Sequence, residues 1–392
     1  MIEQFEFMDR DTGWELQSTR FDAVNLLVGV SGAGKSTILT ALLGVAESGV
    51  GRWAAPPNCA WKLRLRASGQ TFEWEAQTSA TNERIAPMVH VGALASWFEF
   101  GQRTKKGKFL EERVWTSSGQ MLAERHGEQI KFAGSVAPKL KETESLISLF
   151  QQEETIAPLF AGLSHVFKSN DALQMPAFST DEVAPFRGHF SSIEQLRRDT
   201  RLPLIIRLDL LQTLDPTAFA EIVSAFTEIF PSVTTVRVGP AGELLRMNKS
   251  DDAANRLVVA VEEEGVELPI LLQHLSSGMA RTLRHLVELA LAPSGSTILI
   301  DEYENSLGVN CLPAITRHLL GRIRDVQLIA TSHHPYVINH IDPKCWRVVT
   351  RLGSKVRVLE VADIPELNTG SRQEAFVRLI NSEAYQHGAG GA

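Results

Sequence analysis

Four clusters of residues in this sequence have types and spacing that could do chemistry, and the first two fit the handling of phosphates. The first is Gly29-Val30-Ser31-Gly32-Ala33-Gly34-Lys35-Ser36-Thr37, which fits G-x-x-x-x-G-K-[ST]. Glycines let such a loop curl so that its backbone N–H groups converge on a β-phosphate. A helix beginning at the end of the loop adds its positive N-terminal dipole to the same point. Lys35 then reaches the β- and γ-phosphates, and the Ser36 hydroxyl is placed to ligate magnesium. An accidental glycine-rich turn is the alternative. The apolar run Ala23–Val28 before the loop and the helical spacing of Ile38, Leu39, Leu42 and Leu43 after it weigh against that.

The second cluster is Ser296-Thr297-Ile298-Leu299-Ile300-Asp301-Glu302, a buried-strand pattern ending in two acids. Ligands of parallel α/β sheets bind at the carboxyl ends of strands, which puts Asp301 beside the phosphate loop. Asp301 is expected to hold magnesium through water, and Glu302 to polarise the attacking water. Alone, an apolar run followed by Asp-Glu is weak, because many strands end in acids; the phosphate loop gives it meaning. The third cluster, Leu275-Ser276-Ser277-Gly278-Met279, opens a helix continuing through Leu283, Leu286, Val287 and Leu291, and reads at its plainest as a serine N-cap. The fourth, Val326 to Pro335, is another apolar strand, ending in Ser332-His333-His334-Pro335. One helix, over about 311–323, separates it from the Asp301 strand, the spacing of a βαβ crossover.

The elements that must position these clusters read as follows. Residues 61–66 and 71–75 alternate apolar and polar about an Ala-Ser-Gly turn, and 112–132 repeats the pattern about Ser118-Gly119, so both are expected hairpins. From 139 to 230 the pattern is mainly helical, with a stripe through Leu146, Leu149, Ile156, Leu159, Phe160, Leu163 and Phe167 and a second through Phe219, Ile222, Phe226 and Phe230. Residues 175–190 read as a loop, 256–269 as a hairpin, and the tail from Gln386 as disordered.

The chain has 392 residues, 44% hydrophobic and 22% charged, enough for a large core in one α/β unit with an insertion or in two lobes. A formal net charge of −7 disfavours wholesale coating of nucleic acid, while a local basic patch such as Arg103–Lys108 stays possible. Cys59, Cys311 and Cys345 form no C-x-x-C pair and are expected as free thiols in a reducing compartment. The start carries charge where a signal peptide needs an apolar core, and no apolar run is long enough for a membrane span. A cytoplasmic protein without membrane partners is the expectation.

In order and spacing, the clusters resemble those of ABC-type ATPase heads. Leu275–Met279 resembles the ABC signature, usually L-S-G-G-Q, with Met279 in place of the glutamine. The resemblance implies that Ser277 and Gly278 bind the γ-phosphate of ATP held by another protomer, and that His333 is the switch histidine contacting the γ-phosphate. Asp301-Glu302-Tyr303-Glu304-Asn305-Ser306-Leu307 is similar to the D-E-P-E-x-x-L stretch of RecF, OLD and SMC-related ATPases, and Thr331–Pro335 to their T-H-S-P ending. The implied fold is an α/β P-loop NTPase head with a mixed central sheet, antiparallel hairpins and a mainly helical insertion. Its expected parts are a first lobe over 1–135, the insertion over 136–255, and a second lobe over 256–392 with the signature, the acidic pair and the histidine.

The implied activity is ATP hydrolysis with ATP and magnesium as cofactors, in a homodimer or higher oligomer. Too few residues follow the histidine strand for an OLD-type nuclease domain, and the long heptad arms of SMC proteins are missing. What remains resembles the ATPase subunits of bacterial anti-phage systems, which imply a separately encoded nuclease or toxin as effector. A RecF-like DNA-repair ATPase is the alternative. A chain with its own hidden nuclease and a detached transporter ATPase rank lower. The resemblance also calls for a magnesium-contacting glutamine, for which Gln102 is the candidate, and an adenine-stacking aromatic, for which Trp14 or Phe21 would serve unless both are core.

Overall fold

A computed structural model of the protein describes residues 1–84, 105–169, 178–199, 202–247, 253–305, 312–321, 326–367, 371–382 and 385. Gln102, Arg103, Thr104, Ser306, Leu307, Cys311 and the tail from Gln386 lie outside them. The chain forms two compact units: one of Met1–Asn170, Gly295–Tyr303 and Asp325–Ala392, the other of Asp171–Ser294 and Glu304–Arg324. This division cuts across the three-part expectation. Residues 136–170 sit in the first unit, and the signature helix belongs to the second.

The first unit is built on a sheet with 14 strands among the described residues. Its strands are β1 (Ile2–Asp9), β2 (Glu15–Arg20), β3 (Val24–Val28), β4 (Cys59–Ala67), β5 (Gln70–Arg84), β6 (Lys105–Thr116), β7 (Met121–His126), β8 (Gln129–Phe132), β9 (Ser135–Val136), β10 (Val166–Lys168), β14 (Thr297–Ile300), β15 (Gln327–Thr331), β16 (Trp346–Leu352) and β17 (Lys355–Glu360). They run in the order β10-β14-β15-β3-β16-β17-β2-β1-β4-β5-β6-β7-β8-β9. From β10 to β16 neighbouring strands are parallel. The β1/β4 pair and the meander from β4 to β9 are antiparallel. The sheet is therefore mixed, as expected, and the two hairpins lie where alternation placed them.

Strands β3, β14 and β15 are buried at every residue, the signature of parallel strands covered on both faces. The helix Lys35–Gly49 lies in the same core through Ile38, Leu39, Leu42 and Val45. In the meander, Trp61 meets Trp74 edge-on at 5.3 Å. The fully buried Glu112 carboxylate accepts from Trp74 Nε1 at 3.0 Å, from the Leu146 amide at 2.9 Å and from the Ser145 hydroxyl. Burial pushes the Glu112 pKa up, and the neighbouring Arg125 guanidinium and these three donors oppose the shift.

Val166–Lys168 departs from the helical reading. These residues leave the stripe and pair with β14 in parallel register. Three residues carry no periodicity of their own, so only the sheet edge decides their state.

The second unit has a three-stranded antiparallel sheet, β11 (Val233–Pro240), β12 (Leu257–Glu263) and β13 (Ile270–Leu271), with helices that include Leu204–Leu214, Pro216–Ile229 and Ser277–Leu291. Part of the expected loop at 175–190 is instead the helix Thr180–His189, started by a capping box between Ser179 and Glu182. The S-x-x-E signal was in the sequence; Pro185, now inside the helix, obscured it.

Candidate functional site

The phosphate loop leaves the carboxyl end of β3 and closes on the helix Lys35–Gly49. At Gly29, φ is +150° and an added Cβ would meet Val349 O at 2.5 Å, so β16 excludes any side chain there. Gly34 caps the helix in the left-handed region, with φ at +100°. Ala33 is buried, Thr37 half-buried, and Ser31, Gly32 and Ser36 are exposed. Lys35 is buried, and its ammonium donates to Gly29 O at 2.8 Å and Val30 O at 2.9 Å, inside the curve of the loop.

Asp301 follows the last residue of β14 and meets this loop. Its Oδ1 accepts from Ser36 Oγ at 2.9 Å and from Thr331 Oγ1 at 2.8 Å. Lys168 Nζ, at the end of β10, is 3.6 Å from Asp301 Oδ2. The next residue, Glu302, is exposed and holds φ at +46°, a left-handed conformation that costs a non-glycine residue about 1–3 kcal/mol. Two contacts with the neighbouring strand hold that turn: Glu302 N donates to Thr331 Oγ1 at 2.7 Å, and Tyr303 N to Thr331 O at 2.9 Å. One threonine hydroxyl thus bridges both acids, donating to the first and accepting from the amide of the second.

The two histidines after β15 divide. His334 Nδ1 accepts from Tyr336 N at 3.2 Å and caps the helix Pro335–His340, whereas His333 is exposed at the strand end. Arg351, from the β16–β17 hairpin, donates to Gly32 O at 3.3 Å and to Gly353 O at 2.7 Å, bracing the outer edge of the loop. Lys168 and Arg351 were missed by sequence reasoning, and Thr331 was read only as part of the histidine strand's ending. For Thr331 a signal existed in its place at the end of the histidine strand. Lys168 and Arg351 had none, since their proximity depends on strand order. Trp14 and Phe21 are both core residues. In the basic run, Lys108 is paired with Glu142.

Magnesium fits the donors present. Ser36 Oγ and Asp301 Oδ1 are hard oxygens at the mouth of an anion-binding loop, the set magnesium uses together with substrate phosphates. Among the described residues no group of three or more His, Cys, Asp or Glu would form an all-protein metal cage.

The signature cluster lies in the second unit. Ser276, not Ser277, is the N-cap of the helix Ser277–Leu291, accepting from Met279 N at 3.2 Å. Ser277 stands exposed at the first helical position and Gly278 is half-buried beside it. Within this helix Glu288 lies 3.8 Å from both Arg284 and His285, one turn before it. Arg207 is buried nearby; desolvation pushes its pKa down and Glu288 opposes the shift.

The family model described as "AAA domain, putative AbiEii toxin, Type IV TA system" matches residues 173–339. No curated protein matches the chain. Among solved structures, the chain is similar to an SmcHead bound to the C-winged helix domain of ScpA, at 12% identity and a TM-score of 0.46, covering 91% of this chain and 97% of that one. It is also similar to the SMC head domain from Thermotoga maritima, at 11% identity and a TM-score of 0.43, covering 92% and 98%. A third, the Smc head domain with an extended coiled coil bound to the C-terminal domain of ScpA from Pyrococcus furiosus, gives 11% identity and a TM-score of 0.42, covering 91% and 95%. No helix among the described residues is long and apolar enough to cross a membrane.

Proposed function

We propose that this chain is an ABC-type P-loop ATPase head that binds ATP with magnesium, closes as a head-to-tail homodimer around the nucleotides, and reopens on hydrolysis. The observation that carries the reading is the 2.9 Å contact of Ser36 Oγ with Asp301 Oδ1 at the mouth of the Gly29–Thr37 loop. It brings the hydroxyl and the carboxylate that such chemistry needs to one point, beside the Lys35 ammonium's loop. Bound magnesium would supply charge neutralisation across the β- and γ-phosphates there.

The loop amides and Lys35 hold the phosphates; Ser36 and Asp301 would hold the metal. Glu302 polarises a water whose oxygen attacks the γ-phosphorus as the bond to the β,γ-bridging oxygen breaks, giving ADP and inorganic phosphate. His333 orients the γ-phosphate. Ser277 and Gly278 of one protomer meet the γ-phosphate held by the other.

In the cell, the head acts as the sensor or switch subunit of an anti-phage defence system, controlling a separately encoded effector such as a nuclease or toxin. The family description that names an AAA domain and a Type IV TA system is the finding nearest to this reading. Calorimetric titration with Mg·ATP tests the biochemistry: wild type binds, and Lys35→Ala loses tight binding. No binding by wild type, or equal affinity in the variant, overturns it. Phage plating with the neighbouring genes present, wild type against Lys35→Ala, tests the biology. ATPase assays with added DNA or RNA ask whether nucleic acid is the trigger.

A further inference from the structure

Lys168 closes β10, whose parallel register pairs it with Leu299, two residues before Asp301, which directly follows β14. Its ammonium therefore faces the Asp301 carboxylate, 3.6 Å from Oδ2, with the side chains only 12% and 18% exposed. The following residue is fixed as well: Ser169 is buried and its amide donates to Leu299 O at 2.9 Å. The pair is thus held by the sheet itself, unlike a surface ion pair whose long side chains wander.

Resting on the reading that Ser36 and Asp301 hold magnesium, we infer that Lys168 is an exchangeable counter-cation. It neutralises Asp301 before nucleotide arrives, gives the carboxylate up to magnesium, and turns its ammonium to the terminal phosphate. The physical reason is crowding of charge. A dication held by Ser36 and Asp301 and an ammonium on the other oxygen of the same carboxylate repel each other at short range in a partly desolvated site. Lysine can yield without moving the strand, because its charge sits on a flexible four-carbon stem. The new anion in the site is the phosphate, to which an ammonium is a ready point-charge donor. Pairing Asp301 beforehand also removes a bare negative charge from the path of an incoming polyanion.

The experiment is calorimetric titration of the full chain with ATP, once with EDTA and once with saturating magnesium. The readout is the factor by which magnesium strengthens binding. In Lys168→Met, metal-free ATP meets an unneutralised Asp301, whereas the magnesium form brings its own counter-cation and trades the lost phosphate contact against an ion pair it no longer has to break, so this factor rises about tenfold or more. Lys168→Arg keeps the charge and stays near wild type. Lys168→Gln carries the test if the Met variant does not fold. An unchanged magnesium factor in the charge-removing variant, beside a wild type that binds ATP, overturns the exchange. Failure of wild type to bind ATP under either condition would instead overturn the ATPase reading itself.

Discussion

Replacing Thr331 by valine removes one hydroxyl and almost no volume, at a residue that is 1% exposed. That hydroxyl donates to Asp301 Oδ1 at 2.8 Å and accepts from Glu302 N at 2.7 Å. A hydrogen bond to a charged group contributes about 1.5–3 kcal/mol and a neutral one about 0.5–1.5 kcal/mol, so Thr331→Val should lose about 2–4.5 kcal/mol of stability. The functional effect is larger than the stability effect alone implies. Glu302 is held at φ +46°, and without its acceptor the backbone relaxes toward an ordinary conformation, carrying the carboxylate off line. A displacement of about 1 Å in a positioned group costs up to about a hundredfold in rate. Phosphate release should therefore fall by about ten- to a hundredfold, while calorimetric ATP affinity, set by the loop and Lys35, stays close to wild type. Urea unfolding reads the stability change on the same preparations. Thr331→Ser, which restores the hydroxyl, should recover most of the rate. Wild-type turnover in the valine variant would refute the idea that this hydroxyl sets the geometry of both acids.

Glu302→Gln keeps the shape of the turn and removes the water-polarising carboxylate, so ATP should bind, remain uncleaved, and give a more persistent dimer on sizing; wild-type turnover removes Glu302 from the mechanism. His333→Ala should slow hydrolysis more than it weakens binding, whereas His334→Ala should lower stability by about 1 kcal/mol, the usual worth of a helix cap; the reverse pattern in turnover and unfolding exchanges the two roles. Ser277→Arg should abolish hydrolysis and spare monomeric ATP binding, and mixing it with Lys35→Ala protein should restore partial activity through one intact composite site. Wild-type turnover by Ser277→Arg alone would mean that the signature serine does not act across a dimer. Glu112→Ala, which strips the acceptor from Trp74, Ser145 and Leu146 and leaves Arg125 without its buried counter-charge, should cost about 3–5 kcal/mol in urea unfolding.

By itself the sequence placed the glycine-rich loop after β3, the acid pair at the end of β14 and the histidine pair after β15. Glycines at 29 and 34, a lysine after the second, and an apolar run on each side are local facts, because backbone freedom and periodicity are properties of neighbouring residues. The same holds for the acids ending β14 and the histidines following β15. The tertiary structure alone decided which of these meet. Ser36 and Asp301 are far apart along the chain and 2.9 Å apart in space, because β14, β15 and β3 run side by side with their carboxyl ends at one edge. It also gave neighbours of identical type different places: His334 caps one helix and Ser276 another, while His333 and Ser277 do not serve as these caps. Lys168 shows the limit most sharply. Its three-residue strand has no pattern of its own, and only pairing with β14 turns it from the end of an expected helix into the charge beside Asp301. Strand order is set by burial summed over the whole sheet, a quantity that no single stretch of residues contains.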